Sequence, residues 1–332
     1  MVLRKRLPAR LRREPCRLRN PPRVTDEGNH APVTSDRGMA DLAELLPTVA
    51  AMRKQLDAMD YVADEGLATA LFCAARLAQP LLLEGEAGVG KTEAAKALAA
   101  MLDTPLVRLQ CYEGIDSGEA LYEWNYPRQL LTIRLSEASS PTSAGDLFTE
   151  EYLVGRPLLR ALQHPGPRPA VLLVDEIDRA DDEFEAFLLE LLAESSVTIP
   201  ELGTIKATHP PIVILTSNRT RDLHDALKRR CIYHWIDYPD LARAVDIVRR
   251  RVPSSMQPLA EHVAAAVKRL RSLDVQKPPG IAEAINWAAA LDVLGIAKLD
   301  AAAAELTIGS VLKYREDAQV AAAKGYAWVA EG

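Results

Sequence analysis

Two stretches of this 332-residue chain hold residues whose types and spacing are chemical. The first, GEAGVGKT, runs from Gly85 to Thr92 and fits G-x-x-x-x-G-K-[ST] in full. Gly85, Gly88 and Gly90 let the backbone curl so that successive N–H groups point inward, a cradle for phosphate oxygens. Glu86, Ala87 and Val89 fill the intervening positions. Lys91 stands where its ammonium would reach the β- and γ-phosphates of ATP, and the Thr92 hydroxyl is a ligand for Mg2+. Apolar Leu81–Leu83 precedes the loop and Ala-rich sequence at helical spacing follows. The loop is therefore placed between a strand and a helix N-terminus, whose dipole favours anions.

The second stretch is VLLVDEIDRADDEFEAFLLELLA, starting at Val171, with seven carboxylates between Asp175 and Glu185. Val171–Val174 reads as a buried parallel strand. Asp175 at its C-terminal end would hold Mg2+ through water beside the phosphate loop, and Glu176 would polarise the water attacking the γ-phosphate. A calcium loop does not fit, because the mid-loop Gly and terminal Glu spacing are missing. The later acids read as structural. Phe184, Phe187, Leu188, Leu191 and Leu192 mark one face of a helix, with Asp181 as N-cap and Asp182, Glu183 and Glu185 in its first turn.

Two further segments follow in order. PPIVILTSNRT supplies an apolar strand, Ile212–Leu215, ending in Thr216, Ser217 and Asn218. An amide at Asn218 would orient the lytic water without competing for metal; plain strand termination by turn-forming residues is the other reading. DALKRRCIYHWIDYP places Arg229 and Arg230 before a short strand, Tyr233–Ile236. The pair is either surface charge or a finger reaching a neighbouring subunit's γ-phosphate, with Arg230 the preferred finger.

The elements that must position these residues are strand, loop and helix units up to Pro239. Four amphipathic segments with short Pro/Gly joints follow, a small helical lid. The division expected is 39–239 for the nucleotide-binding α/β unit and 240–332 for the lid, with Arg249–Arg251 a solvated face. Residues 1–38 hold ten Lys/Arg against four Asp/Glu, a net of +6, with no apolar periodicity and no secretory h-region. They read as a disordered basic arm, a transit peptide, or sequence upstream of a true start at Met39. The last is preferred, because helical patterning begins directly after Met39.

The formal charge of −6 leaves −12 on the rest of the chain, which argues against non-specific nucleic-acid binding. Cys16, Cys73, Cys111 and Cys231 share no paired spacing, so neither a disulfide framework nor a zinc site is expected, and a reducing, cytoplasmic setting is. The least polar run, GLATALFCAARLAQPLLL, is broken by Arg76 and Pro80, too interrupted to span a bilayer.

Phosphate loop, acidic strand, Asn sensor, paired Arg and helical lid, in that order, resemble an AAA+ ATPase over nearly all of the chain from Met39. Within that class the chain resembles the MoxR family. RLQCYEG, ALYEWNYPRQLL, EEYLVGRPLL, TIPELGTI and DALKRRCIYHWIDYP are similar to the MoxR-type ATPase that accompanies aerobic carbon monoxide dehydrogenase and related molybdenum hydroxylases. The resemblance implies a P-loop α/β fold with a five-stranded parallel sheet flanked by helices, plus the all-helical lid. It implies a ring, usually of six subunits, and chaperone-like remodelling. The implied partners are a von Willebrand factor A-type protein and a client hydroxylase with a copper–sulfur–molybdenum centre. It also implies a hairpin, Val197–Ile199 with Thr204–Lys206, carrying Glu201 at its tip. Chelatase- or activase-like remodelling of another enzyme is the alternative, and a nucleic-acid motor a more distant one. One departure stands out. Where many such lids carry a second sensor arginine, KPPGIAEAINW offers Ile281, Ala282 and Glu283, with Lys277 as the nearest cation.

Overall fold

Runs of β-rich apolar residues pair side by side into one parallel sheet of five strands, in the order β2-β5-β8-β1-β9. The computed structural model describes residues 42–136, 144–253 and 257–331, so the basic arm lies outside the described residues. The strands are β1 (Leu81–Gly85), β2 (Leu106–Gln110), β5 (Val171–Asp175), β8 (Ile212–Ser217) and β9 (Ile232–Ile236). Two small antiparallel pairs are inserted: β3 (Tyr122–Trp124) with β4 (Leu153–Gly155), and β6 (Ser196–Ile199) with β7 (Gly203–Lys206).

Strands β1, β5 and β8 are buried at every position, as strands covered on both faces must be. Their side chains divide by alternation. Leu81, Leu83, Leu173 and Ile214 enter one core, with α1 (Val49–Ala58), α2 (Glu65–Leu77) and α3 (Lys91–Met101). Leu82, Leu172, Val174, Val213 and Leu215 enter the other. That second core is covered by α4 (Ser117–Leu121), α6 (Pro157–Leu162) and α7 (Asp182–Glu194), while α5 (Tyr126–Ser136) runs outside it. Each fully buried Leu contributes about 1.5–3 kcal/mol to holding the sheet between its two cores.

After α8 (Asp225–Arg230) and β9, helices α9 (Leu241–Arg251), α10 (Gln257–Arg271), α11 (Ile281–Val293) and α12 (Ala301–Thr307) close a third core, with Trp287 wholly buried at its centre. The Trp287 indole N–H donates to Thr307 Oγ1 at 2.7 Å, which satisfies its one buried polar atom. The fourth lid segment is shorter than its pattern predicts. It ends in a 3-10 turn at Ile308–Ser310, and α13 (Arg315–Lys324) and α14 (Tyr326–Ala330) complete the packing. Among the described residues, no helix is long and apolar enough to cross a membrane.

Candidate active site

The Gly85–Thr92 loop leaves the C-terminal end of β1 and turns into α3 at Lys91. Only glycine fits at Gly85: its φ is +155°, and a Cβ there would lie 2.4 Å from the Ile236 carbonyl of β9. Gly90, at φ +98°, is the N-cap of α3. Lys91 is buried, its Nζ donating to the carbonyls of Gly85 at 2.7 Å and Glu86 at 2.8 Å. Burial pulls its pKa below the ordinary lysine value, against the pull of Asp178, Glu86, Asp175 and Glu176.

Asp175 ends β5 as a buried carboxylate with three side-chain partners. The Thr92 hydroxyl lies 3.2 and 3.3 Å from its two oxygens, and Thr216 Oγ1 donates at 2.5 Å. Arg108, from β2, donates through Nε at 3.0 Å and through Nη2 at 2.6 Å. Glu176 follows with φ +56°, an uncommon left-handed conformation for a residue with a side chain. Its amide is held by Thr216 Oγ1 at 2.9 Å, and its carboxylate pairs with Arg179 Nε at 2.8 Å. The Thr216 hydroxyl therefore ties both acids to β8, one by donating and one by accepting.

The turn at Asn218 is fastened to the acidic strand by Asp178, a buried carboxylate. It accepts from the amides of Asn218 at 3.2 Å and Thr220 at 2.9 Å, and from the Thr220 hydroxyl at 2.7 Å. Asn218 and Glu176 are thus positioned by one another's loops. The α7 cap forms as its pattern predicts, with Asp181 accepting from the Phe184 amide at 2.9 Å.

A cavity of about 450 Å³ opens over these groups. The loop from Ala87 to Thr92, Asp175, Glu176, Thr216 and Asn218 form its floor. Residues 60–62, α9 and α11 form the opposite wall. Arg243 and Arg251 of α9 both line it. Arg251 is half of an ion pair with Glu93 at 3.2 Å, so the Arg249–Arg251 run is not merely a solvated face. Arg243 donates twice to the Val62 carbonyl, at 3.1 and 2.8 Å, and once to Asp64 at 2.8 Å. Lys277 is not brought to the cavity; its amide instead donates to the buried Asp317 at 3.2 Å. At the N-terminus of α11 the Ala282 amide donates to the Gly88 carbonyl at 3.2 Å, so the C-terminal helices back directly onto the Gly85–Thr92 loop.

Arg229 and Arg230 lie at the end of α8, both exposed and outside this cavity. The Arg230 guanidinium donates to the Leu189 carbonyl at 2.6 Å. Sequence reasoning missed Arg108, Arg179 and Arg243, and read Arg251 as part of a solvated face. Arg108 had a signal: a lone cation within an apolar edge strand, two residues before the strand end.

Comparison with known proteins agrees with this geometry. Residues 80–231 match the family model of the AAA domain (dynein-related subfamily). The chain is 26% identical over 215 residues to an uncharacterized protein of Staphylococcus haemolyticus, covering 63% of this chain and 73% of that one. It is also 26% identical over 211 residues to the gas vesicle ATPase GvpN1 of Halobacterium salinarum, covering 59% of this chain and 58% of that one. A nucleotide cradle between strand and helix, a paired acidic strand and a match to the AAA domain model over the same residues lead to one conclusion: the chain is an ATP-hydrolysing enzyme.

Proposed function

We propose that the chain couples ATP hydrolysis to remodelling of a client metalloenzyme, as an ATPase of the MoxR type. The client we infer is a molybdenum hydroxylase of the carbon monoxide dehydrogenase kind, whose copper–sulfur–molybdenum centre it helps to mature. The long resemblance of its loop segments to ATPases of that setting supports the client. The remodelling half is supported by one contact, the Ala282 amide on the Gly88 carbonyl. Any shift of the phosphate loop on loss of the γ-phosphate acts on the lid without an intermediate.

In this reading the loop amides and Lys91 bind the phosphates, and Thr92 with Asp175 holds Mg2+. The donor set fits: the Thr92 hydroxyl would bind Mg2+ and the Asp175 carboxylate would hold it through water, two hard oxygen donors that converge at the helix start. When bound, Mg2+ neutralises charge developing on the β- and γ-phosphates. Glu176 polarises the attacking water, Asn218 orients it, and Arg229 or Arg230 acts on a neighbour's nucleotide. That last role requires a ring, taken as six subunits in the cytoplasm working with a von Willebrand factor A-type partner.

The test is capture with Glu176→Gln, which should hold ATP without turning it over. Proteins retained by that variant and not by Lys91→Ala are identified by mass spectrometry. A molybdenum hydroxylase subunit is the expected product. A different enzyme would redirect the client assignment to activase-like work, and nucleic acid in its place would overturn remodelling altogether.

A further inference from the structure

A second concavity, of about 540 Å³, shares no lining residue with the nucleotide cavity. It lies among α4, β3, the start of α5, α7 and β6. Its rings are fixed by one another. Trp124, nearly buried, meets Tyr122 edge-on at 5.9 Å and Phe148 at 5.1 Å. Tyr126 and Phe187 complete an aromatic wall.

The polar lining is one-sided. Glu123 and Glu190 are the charged residues that line it, with no Lys or Arg among them. Glu123 is engaged by Arg156, whereas Glu190 is exposed and in no ion pair among the described residues. Glu201, in the turn between β6 and β7, adds a third negative charge. Burial, and then the charge of Glu201, hold the Tyr122 hydroxyl above its ordinary pKa.

Aromatic faces beside uncompensated carboxylates attract cations and repel phosphates. Two observations say that the cation belongs to a polypeptide. Three consecutive residues of β6, Ser196, Val197 and Thr198, line the groove, so the strand presents its edge and not one face. That strand pairs on one side with β7, leaving N–H and C=O groups open to an added strand. At the groove's edge, Tyr126 is followed one helical turn later, outside the groove, by Leu130, 58% and 60% exposed, an apolar path longer than a small amine would cover.

We propose that this groove binds an extended peptide segment carrying Lys or Arg beside an apolar side chain. The assignment names the chemistry of the partner that the remodelling reading leaves open, and rests on that reading only for what happens after binding.

The test is fluorescence anisotropy, without nucleotide, on a short fluorescein-labelled peptide of alternating Leu and Lys. The control peptide carries Glu in place of every Lys. The full chain should bind the cationic peptide and not the acidic one. Glu190→Lys should weaken binding at least about tenfold, and the exposed Tyr126→Ala about fivefold. Unchanged melting temperatures show that both variants are folded. Equal binding of the two peptides, or wild-type binding by Glu190→Lys, would overturn the proposal. So would a Glu190→Lys variant that binds peptide normally but assembles differently in sedimentation, since the groove would then seat a second copy of the chain. Peptide that binds yet leaves ATP turnover untouched would sink the remodelling reading and leave the groove standing.

Discussion

The Arg108 guanidinium reaches from the edge strand to within 2.6 Å of an Asp175 carboxylate oxygen, at the end of the neighbouring strand. It places one positive charge beside the carboxylate that we assign to Mg2+, and that carboxylate is buried. Removing the arginine leaves its partner charged with only two hydroxyls for company.

Arg108→Gln is therefore expected to lower stability by about 1 kcal/mol, a modest figure because the arginine is half exposed. The loss should shrink when Mg2+ and ATP are present, since the metal then supplies the missing charge. Thermal melts with and without Mg-ATP check this; an equal deficit in both would mean that metal and guanidinium do not share the carboxylate.

Lys91→Ala and Glu176→Gln should fail in different ways. The first removes an ammonium held on the loop carbonyls and should abolish ATP binding. The second leaves the cradle intact and should bind ATP while turnover falls by about 10²-fold or more. Asn218→Ala should resemble the second. Calorimetric ATP affinities alongside steady-state rates separate the classes, and a similar loss of affinity in all three would contradict the roles.

Gly280→Ala tests the contact between lid and phosphate loop. A Cβ there would meet the Ala87 carbonyl at 2.9 Å and the Gly88 carbonyl at 3.0 Å, both backbone atoms that cannot swing aside. Its φ of −88° suits any residue, so the backbone itself is unstrained; the Cβ also meets the capping Glu283 carboxylate at 3.0 Å, the end of a side chain that can give way. ATP affinity should fall by about tenfold with the melting temperature nearly unchanged. Wild-type affinity would show that the lid need not seat on the loop.

Arg230→Ala should still bind ATP through its own Lys91, yet hydrolyse about 10³-fold more slowly. Mixing it with Lys91→Ala should restore activity, because some interfaces then pair an intact loop with an intact finger. If the two variants co-assemble and the mixture stays inactive, Arg230 is surface charge held by the Leu189 carbonyl.

Four of the five strands of the sheet were legible because each announces itself locally; β2, its apolar run broken by Arg108, was not. The runs at Leu81, Val171 and Ile212 are continuous and apolar, and the acids or amides at their ends fall on one rim because parallel strands share a direction. The α7 cap was legible for the same reason, since Asp181 and Phe184 are three residues apart. What escaped was non-local. Arg108 meets Asp175 across 67 residues, and Arg243 meets Val62 across 181. The side chains carry no periodic mark of such partners. The β3–β4 pair was missed because its strands are three residues long, too short for alternation to register.

The three hydrogen bonds of Arg243 have a kinetic meaning. They fasten the first turn of the lid to a segment that precedes the sheet in the chain, so the jaw around the cavity is hinged from both ends. Widening it far enough to let spent nucleotide leave means parting that clasp, or dragging residues 62–64 along with the lid. On the proposed reading, replacing Arg243 is expected to hasten ADP release, although its hydrogen bonds go to Val62 and Asp64 and not to Thr92, Asp175 or Glu176.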